Sequence, residues 1–360
     1  MTGRERLMAI LGKRPADRLA WTTLVDKATL DLMPESLRGN GGLDLYRHLK
    51  CDILLLNNWG TPHPFPRSAR WVWPEDVTVT SAAEGERHVV TYKTRLGSLE
   101  SISQRGHPIK PLVATVEDVR IYRDAWERLR FVKGDDDTPA FQATERLFGE
   151  DGIATCFPHA SAIPSLLEYV MGMEPFYYLL NDYPREMTDL IRVIHEREME
   201  TWRILAGGPW EVTILCENTS TYYISPDIYR RFNGPHQKDF VDIMHAAGKI
   251  ALMHMCGHVL NLLPEIRKTG LDGIHALTPP PVGNTPWETA LDALGEDLVI
   301  VGVLDPSVFA AGPVARIPET LDRLYTPRLR RANVVLWAAA DGLPIPLERF
   351  EAVAKWFDRQ

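Results

Sequence analysis

The stretch SPDIYRRFNGPHQKDFVDIMHAAGKIALMH, residues 225–254, contains one complete helix-to-strand unit. Ser225 is an N-cap residue type, and Pro226 suits the first helical position, where a missing N–H leaves no bond unmade. Gly248 closes the unit, because a residue without a Cβ enters the left-handed conformation that ends helices. Phe240, Ile243, Met244 and Ala247 recur at i, i+3, i+4 and i+7, so the spacing predicts an amphipathic helix with that stripe inward. KIALMH then reads as a strand, apolar on both faces as in a parallel sheet covered on each side.

Similar runs lie on either side of it: RLAWTTLV (18–25), DILLLN (52–57), GIATCF (152–157), EVTILCE (211–217), GIHAL (273–277), LVIVGV (298–303) and VVLWAA (334–339). With KIALMH they make eight strands separated by helical segments, a pattern that closes most naturally into a (β/α)₈ TIM barrel. An open doubly wound sheet is the alternative, but no glycine-rich nucleotide turn follows an early strand. The whole chain, 1–360, reads as a single barrel domain with an insertion at approximately 60–120. Within that insertion residues 77–103 alternate like an antiparallel β-hairpin turning near Glu84 and Gly85, placed after the second strand.

Composition narrows the function. The 360 residues are 45% hydrophobic and 24% charged, as in an ordinary globular protein, and the net charge is −8 with basic residues scattered. A nucleic-acid footprint and an anionic membrane surface are both disfavoured, leaving a small molecule or another protein as partner. The start, MTGRERLMAILGKRP, carries Arg4, Glu5 and Arg6 where a signal peptide needs an apolar core, and no apolar run approaches the ~18 residues of a membrane span. A cytoplasmic protein is expected. The cysteines, 51, 156, 216 and 256, form no CxxC pair, which argues against a disulfide framework or zinc ribbon.

In such barrels the active site lies where strands give way to their following loops. Those places hold His159, Cys216-Glu217-Asn218, His254-Met255-Cys256, Asp305 and Asp341. His254 and Cys256, two apart on an extended chain, point to the same side, so imidazole and thiolate could converge on one ion; with carboxylate oxygen such donors suit zinc. The competing reading makes Cys256 a small buried hydrophobe and His254 a satisfied core histidine. Glu217 ends an apolar run, where an unpaired carboxylate is costly, so it needs a cation or hydrogen-bond donors. Cys156 and Cys216 suit packing roles. His159, Asn218 and Asp305 are candidates for proton or substrate contacts, or for support behind the site. The aromatic residues Trp59, Phe65, Trp71, Trp73, Tyr222 and Tyr223 could line a pocket, or simply cap the barrel mouth.

The stretches RERLMAILGKRPADRLAW, ISPDIYRRFNGPHQKDFVDIMHAAGKIALMHMCGHV, LVIVGVLDP and DGLPIPLERFEAVAKW, in that order, resemble the uroporphyrinogen decarboxylase superfamily, which includes corrinoid-dependent methyltransferases. The resemblance implies a (β/α)₈ barrel, a homodimer as a candidate assembly, and a site at the carboxyl ends of the strands. The decarboxylase branch uses an arginine-rich segment after the first strand; here that segment reads TTLVDKATLDLM, without arginine. The methyltransferase branch binds zinc through an HxC motif, matched by His254 and Cys256, and a later cysteine whose place Asp341 takes in DGLP. The resemblance thus implies zinc held by Glu217, His254, Cys256 and Asp341. It also implies a corrinoid carried on a partner protein, since the chain has no DxHxxG cobalamin-binding motif. The oxygen-rich donor set favours demethylation of a small O-methyl donor, such as a methoxylated aromatic, with the methyl group passed to the corrinoid protein. A methylcobalamin-to-thiol methyltransferase and a metal-free decarboxylase are the alternatives.

Overall fold

In a computed structural model, which describes residues 1–56, 64–340 and 342–360, all eight apolar runs form strands. These are β1 (Ala20–Thr23), β2 (Ile53–Leu56), β3 (Gly152–Thr155), β4 (Val212–Cys216), β5 (Ile250–His254), β6 (Gly273–Leu277), β7 (Val299–Val303) and β8 (Val334–Ala338). Parallel ladders join β4 to β5, β5 to β6, β6 to β7, β7 to β8, and β8 to β1. A separate ladder joins β2 to β3.

Two narrow seams complete the ring. Cys156 bridges Thr213, donating to Val212 O at 3.0 Å and accepting from Ile214 N–H at 2.8 Å, which connects β3 to β4. Asp52 N–H donates to Trp21 O at 2.8 Å and Leu54 N–H to the Thr22 hydroxyl at 3.1 Å, which connects β1 to β2. The protein is a TIM barrel.

Strand periodicity sorts the side chains. Ala20, Leu54, Ile153, Val212, Ile214, Leu252, Val299, Val301 and Val335 share one buried cluster inside the ring. Helix α1 (Gly3–Leu11) adds Leu7, Ile10 and Leu11 to it, closing the amino-terminal end of the barrel. The alternate residues Trp21, Leu55, Ala251, Met253, Ile274, Ile300 and Leu336 pack outward in the larger core shared with the helices. Counting in twos from Leu252 makes His254 inward, and counting from Ile214 does the same for Cys216.

Three features of the sequence change on folding. The helix after β4 begins as expected, with the Ser225 hydroxyl accepting from Ile228 N–H at 3.2 Å. A π turn, Tyr229–Asn233, then precedes α4 (Gly234–Ala246). Pro235 accounts for it, because its ring collides with the carbonyl four residues earlier and it lacks the donor for that bond. The buried stripe is Gln237, Phe240, Val241 and Met244 rather than one that ends at Ala247, which is exposed just before Gly248 at φ +70°. The hairpin turning at Gly85 is the first half of a four-stranded antiparallel meander, Thr78–Glu84, Arg87–Thr94, Gly97–Gln104 and His107–Lys110. A helix, α2 (Val116–Arg128), packs on it, and Ala69–Val72 pairs antiparallel with Arg130–Lys133 to tie the insertion back to the barrel. Among the described residues no helix is long and apolar enough to cross a membrane.

Helix α3 (Pro184–Ala206) packs against both α2 and α4. At its contact with α4, the rings of His195 and His236 stack 3.7 Å apart and nearly parallel. His195 Nε2 meets Asp239 at 2.8 Å, whereas His236 Nδ1 has no partner among the described residues. Burial, then the neighbouring His195, holds the His236 pKa down to about 3. A histidine depressed in the folded state stabilises above its unfolded pKa of roughly 6.5, and that contribution is lost as the pH falls towards 3. We predict that His236→Phe, which keeps the stack, makes stability less pH-dependent. In urea titrations the wild type should lose about 2 kcal/mol more than the variant between pH 7 and pH 5.

Candidate functional site at the carboxyl ends of the strands

The inward residues at the upper rim are Cys216 on β4, His254 on β5, His275 on β6 and Trp337 on β8. His254 lies beside Cys216 in one ladder and beside His275 in the next. The two imidazoles meet Nδ1 to Nδ1 at 2.8 Å, and the Trp337 ring lies over His275 at 4.6 Å between centroids. Burial holds the His254 pKa down to about 4, and burial plus His254 depresses His275 further. Both shifts favour the neutral imidazoles, and the Nδ1–Nδ1 contact needs one proton between the facing nitrogens. When His254 Nδ1–H donates, its Nε2 lone pair is free for a ligand.

The backbone is irregular at this rim. Ala276 sits at φ +64° beside a register shift between His275 and Leu277, and Asn218 at φ +42°. Left-handed conformations in residues with a Cβ cost about 1–3 kcal/mol each and persist where surrounding bonds over-determine them. Here the Glu217 and Asn218 N–H groups both donate to His254 O, at 3.1 and 2.9 Å, and Met255 N–H donates to His275 O at 2.9 Å. Close approach also constrains the loop after β5, since a Cβ on Gly257 would lie 2.3 Å from Ser220 Cβ.

Cys256 is exposed, and its thiol donates to Asn218 Oδ1 at 3.7 Å; Asn218 Nδ2–H in turn donates to Glu168 Oε2 at 3.1 Å. Although Cys256 as a residue is exposed, desolvation of its sulfur in the barrel mouth raises its pKa, and burial followed by nearby carboxylates pushes Cys216 up to about 12. Both shifts favour the thiol over the thiolate. Neutral imidazole and thiol are donor types that fit zinc, the thiol losing its proton on binding. Among the described residues no three His, Cys, Asp or Glu side chains converge tightly enough to hold a metal ion. Asp341, the expected carboxylate partner, lies outside the described residues, as does Trp59.

Glu217 is fully buried. Its Oε1 accepts from Ser161 N–H at 3.0 Å, and its Oε2 from the Ser161 hydroxyl at 3.0 Å and Gln237 Nε2–H at 2.6 Å. Burial raises its pKa against the pull of those donors. One residue along, Ala162 N–H donates to Glu198 Oε2 at 3.1 Å. Burial, then Glu217, holds the Glu198 carboxyl well above the usual range, which favours its neutral form.

The other expected residues are scattered. Asp305 is buried, with its oxygens on Ser307 N–H at 2.8 Å, the Ser307 hydroxyl and Val282 N–H at 3.1 Å, so it fastens two loops. Tyr222 is 74% exposed and lies over the His258 ring. Tyr223 is half-buried, its carbonyl accepting from Tyr177 OH, and burial pushes its own hydroxyl pKa far up. Phe65 is core, stacked on Trp210. Trp73 packs edge-on against Tyr92 and Trp126 in the insertion.

His159 and Trp71 instead line a cavity of about 390 Å³ between the insertion and the barrel, with Trp126, Phe131, Phe157 and Glu198 in the same wall. Phe157 separates it from the rim, its ring 5.9 Å from that of His254. His275, Glu168 and Glu198 went unrecognised in the sequence. Only His275 carried a signal there, as a polar residue inside the apolar run GIHAL.

Fold and rim together define a (β/α)₈-barrel protein whose chemistry-bearing side chains gather at the carboxyl ends of β3 to β6. Residues 113–345 match the uroporphyrinogen decarboxylase (URO-D) family, and the chain belongs to it. It is similar to the methylcobamide:CoM methyltransferase MtbA of Methanosarcina acetivorans, 29% identical over 103 residues, which is 29% of each chain. The match thus spans less than a third of that relative's length. A methyltransferase from Methanosarcina mazei shares the fold over 100% of this chain and 99% of its own, with a TM-score of 0.62 at 14% identity.

Glu217→Gln should separate support from metal ligation. The new amide would face the Gln237 donor, and loss of that acceptor in a buried site should lower unfolding stability by about 1–3 kcal/mol in chemical denaturation. Bound-metal stoichiometry should stay that of the wild type.

Proposed function

We propose that the protein is a corrinoid-dependent methyltransferase that takes the methyl group of a small O-methyl donor and passes it to a corrinoid protein. The observation that carries this reading is the sequence pair His254 and Cys256 at the carboxyl end of β5 in a URO-D-family barrel, His254 inward in the ladder beside Cys216 and Cys256 exposed in the loop that follows. The name of the Methanosarcina acetivorans relative supports methyl transfer and a cobamide. The chain acts as one barrel unit over 1–360, with its insertion beside the mouth.

Zinc is the ion these donors suit, held by His254 and Cys256, with Asp341 as the third protein donor and Glu217 bracing the rim behind them. Bound there, zinc supplies Lewis acidity towards the ether oxygen of the donor. The protein's own groups set up that chemistry. His275 fixes the orientation and tautomer of His254, as outer partners of ligating histidines do. Asn218 holds the Cys256 sulfur to one side of the mouth. Glu198, in the neutral form that burial favours, and the aromatic wall keep the neighbouring cavity free of net negative charge. No arginine or lysine is in that wall among the described residues, which disfavours the polycarboxylate substrate of a decarboxylase.

A second reading, methyl transfer from a methylated cobamide to a thiol, is favoured by the relative's printed acceptor, CoM. An assay with a methylated corrinoid and a thiol, run beside one with a reduced corrinoid and an O-methyl donor, separates the two directions.

Metal analysis of the purified protein should find close to one zinc per chain, lost in His254→Ala and in Cys256→Ser. Wild type without metal, or variants that retain it, would refute the site. His275→Phe should keep the fold and weaken metal affinity by about 10- to 100-fold in competition with a chromogenic chelator.

A further inference from the structure

The cavity between insertion and barrel has the size and walls of a small-molecule pocket. Its volume of about 390 Å³ falls in the roughly 300–1,000 Å³ range of small-molecule pockets. Its walls come from three places in the chain: Trp71, Trp126 and Phe131 from the insertion, Phe157 after β3, and Glu198 on α3. The rings are fixed by one another, Trp71 meeting Phe131 at 4.8 Å and Trp126 at 5.4 Å, both edge-on. Such a wall is rigid before any ligand arrives, and its faces and edges suit a flat aromatic ring.

One polar group interrupts it. Glu198 Oε2 is taken by Ala162 N–H, while no donor among the described residues reaches the other oxygen, which is left to the cavity. Two further wall residues carry unused polar atoms. Among the described residues Thr201 Oγ1 makes no hydrogen bond, and Trp126 Nε1–H leans towards the Tyr122 hydroxyl without reaching hydrogen-bond geometry. A purely hydrocarbon ligand would leave the carboxyl group unpaired; a ring bearing an ether or hydroxyl oxygen would satisfy it.

We propose that this cavity binds the aromatic ring of an aryl methyl ether, with the Glu198 carboxyl hydrogen-bonded to an oxygen on the ring and Phe157 standing between the bound ring and the rim. The assignment rests on the methyl-transfer reading for its role in turnover, but binding of the ring can be measured without metal or corrinoid. Glu198 reads ring oxygen, the aromatic wall reads planarity, and Phe157 separates bound ring from rim chemistry.

Calorimetric titration of the full chain with 2-methoxyphenol, against 2-methoxycyclohexanol as the non-aromatic match, is the test. The aromatic probe should bind saturably and about tenfold tighter than the saturated one. Ala69→Phe, which fills the cavity from its insertion wall, should abolish saturable binding while keeping a cooperative melting transition. Glu198→Leu should weaken binding about fivefold, and Glu198→Gln, whose amide still donates, should restore it. Equal affinity for the two probes, or wild-type binding by Ala69→Phe, would overturn the pocket. Wild-type binding by Glu198→Leu would overturn the contact with Glu198. Binding of 2-methoxyphenol with no methyl release to a reduced corrinoid would overturn the methyl-transfer reading and leave the aryl pocket standing.

Discussion

The buried carboxyl group of Glu217 is the constraint on which the mouth of the barrel depends. It stands at the end of β4 and takes hydrogen bonds from the loop after β3 through Ser161, and from α4 through Gln237. Gln237 is held in turn by the Tyr229 hydroxyl, which donates to its Oε1 from the π turn. Three separate pieces of the chain therefore meet at one carboxyl group. Leaving any of those donors unpaired in the interior would cost about 1–3 kcal/mol, so the arrangement is held or lost as a unit. The residue that follows, Asn218, is held in its left-handed conformation by its N–H bond to His254 O, and from there it contacts both Cys256 and Glu168.

How legible this was in the sequence follows from which forces act locally. Each apolar run became a strand because a parallel barrel buries both faces of every strand, and that demand writes itself into consecutive residues. The side on which His254 and Cys216 lie is also local, set by the two-residue period counted from Leu252 and Ile214. The same count from Gly273 would have turned His275 inward. The bulge at Ala276 comes just after it and so does not disturb that parity.

Other features could not be read in that way. Glu198 sits in the middle of α3, and nothing in its helical neighbours marks it as a cavity residue; its role appears only when Ala162 and the insertion are packed against it. Asp305 looked like a site residue because it follows β7, yet a carboxylate there can equally cap a turn, and Ser307 and Val282 take it for that purpose. The stripe on α4 shifted because the π turn changes the rotation of the helix, which makes Gln237 an inward residue. A polar side chain on a core face is tolerated only with partners, and Glu217 and Tyr229 are those partners.

The insertion shows how a barrel acquires a second recognition surface without altering its rim. A meander of four strands with α2 on it is too small to offer a large core, and it is stabilised by aromatic contacts among Trp71, Trp73, Tyr92, Tyr122 and Trp126. Edge-on pairs of this kind contribute about 0.5–1.5 kcal/mol each beyond burial of area. The same rings that hold the insertion together form the outer wall of the cavity, so its shape is preorganised by the fold rather than by a ligand. The inner wall belongs to the loop after β3, whose position Glu217 fixes through Ser161. The geometry of the rim and that of the aromatic cavity thus derive from one anchored segment, residues 157–162, with Phe157 facing His254 at one end and Ala162 holding Glu198 at the other.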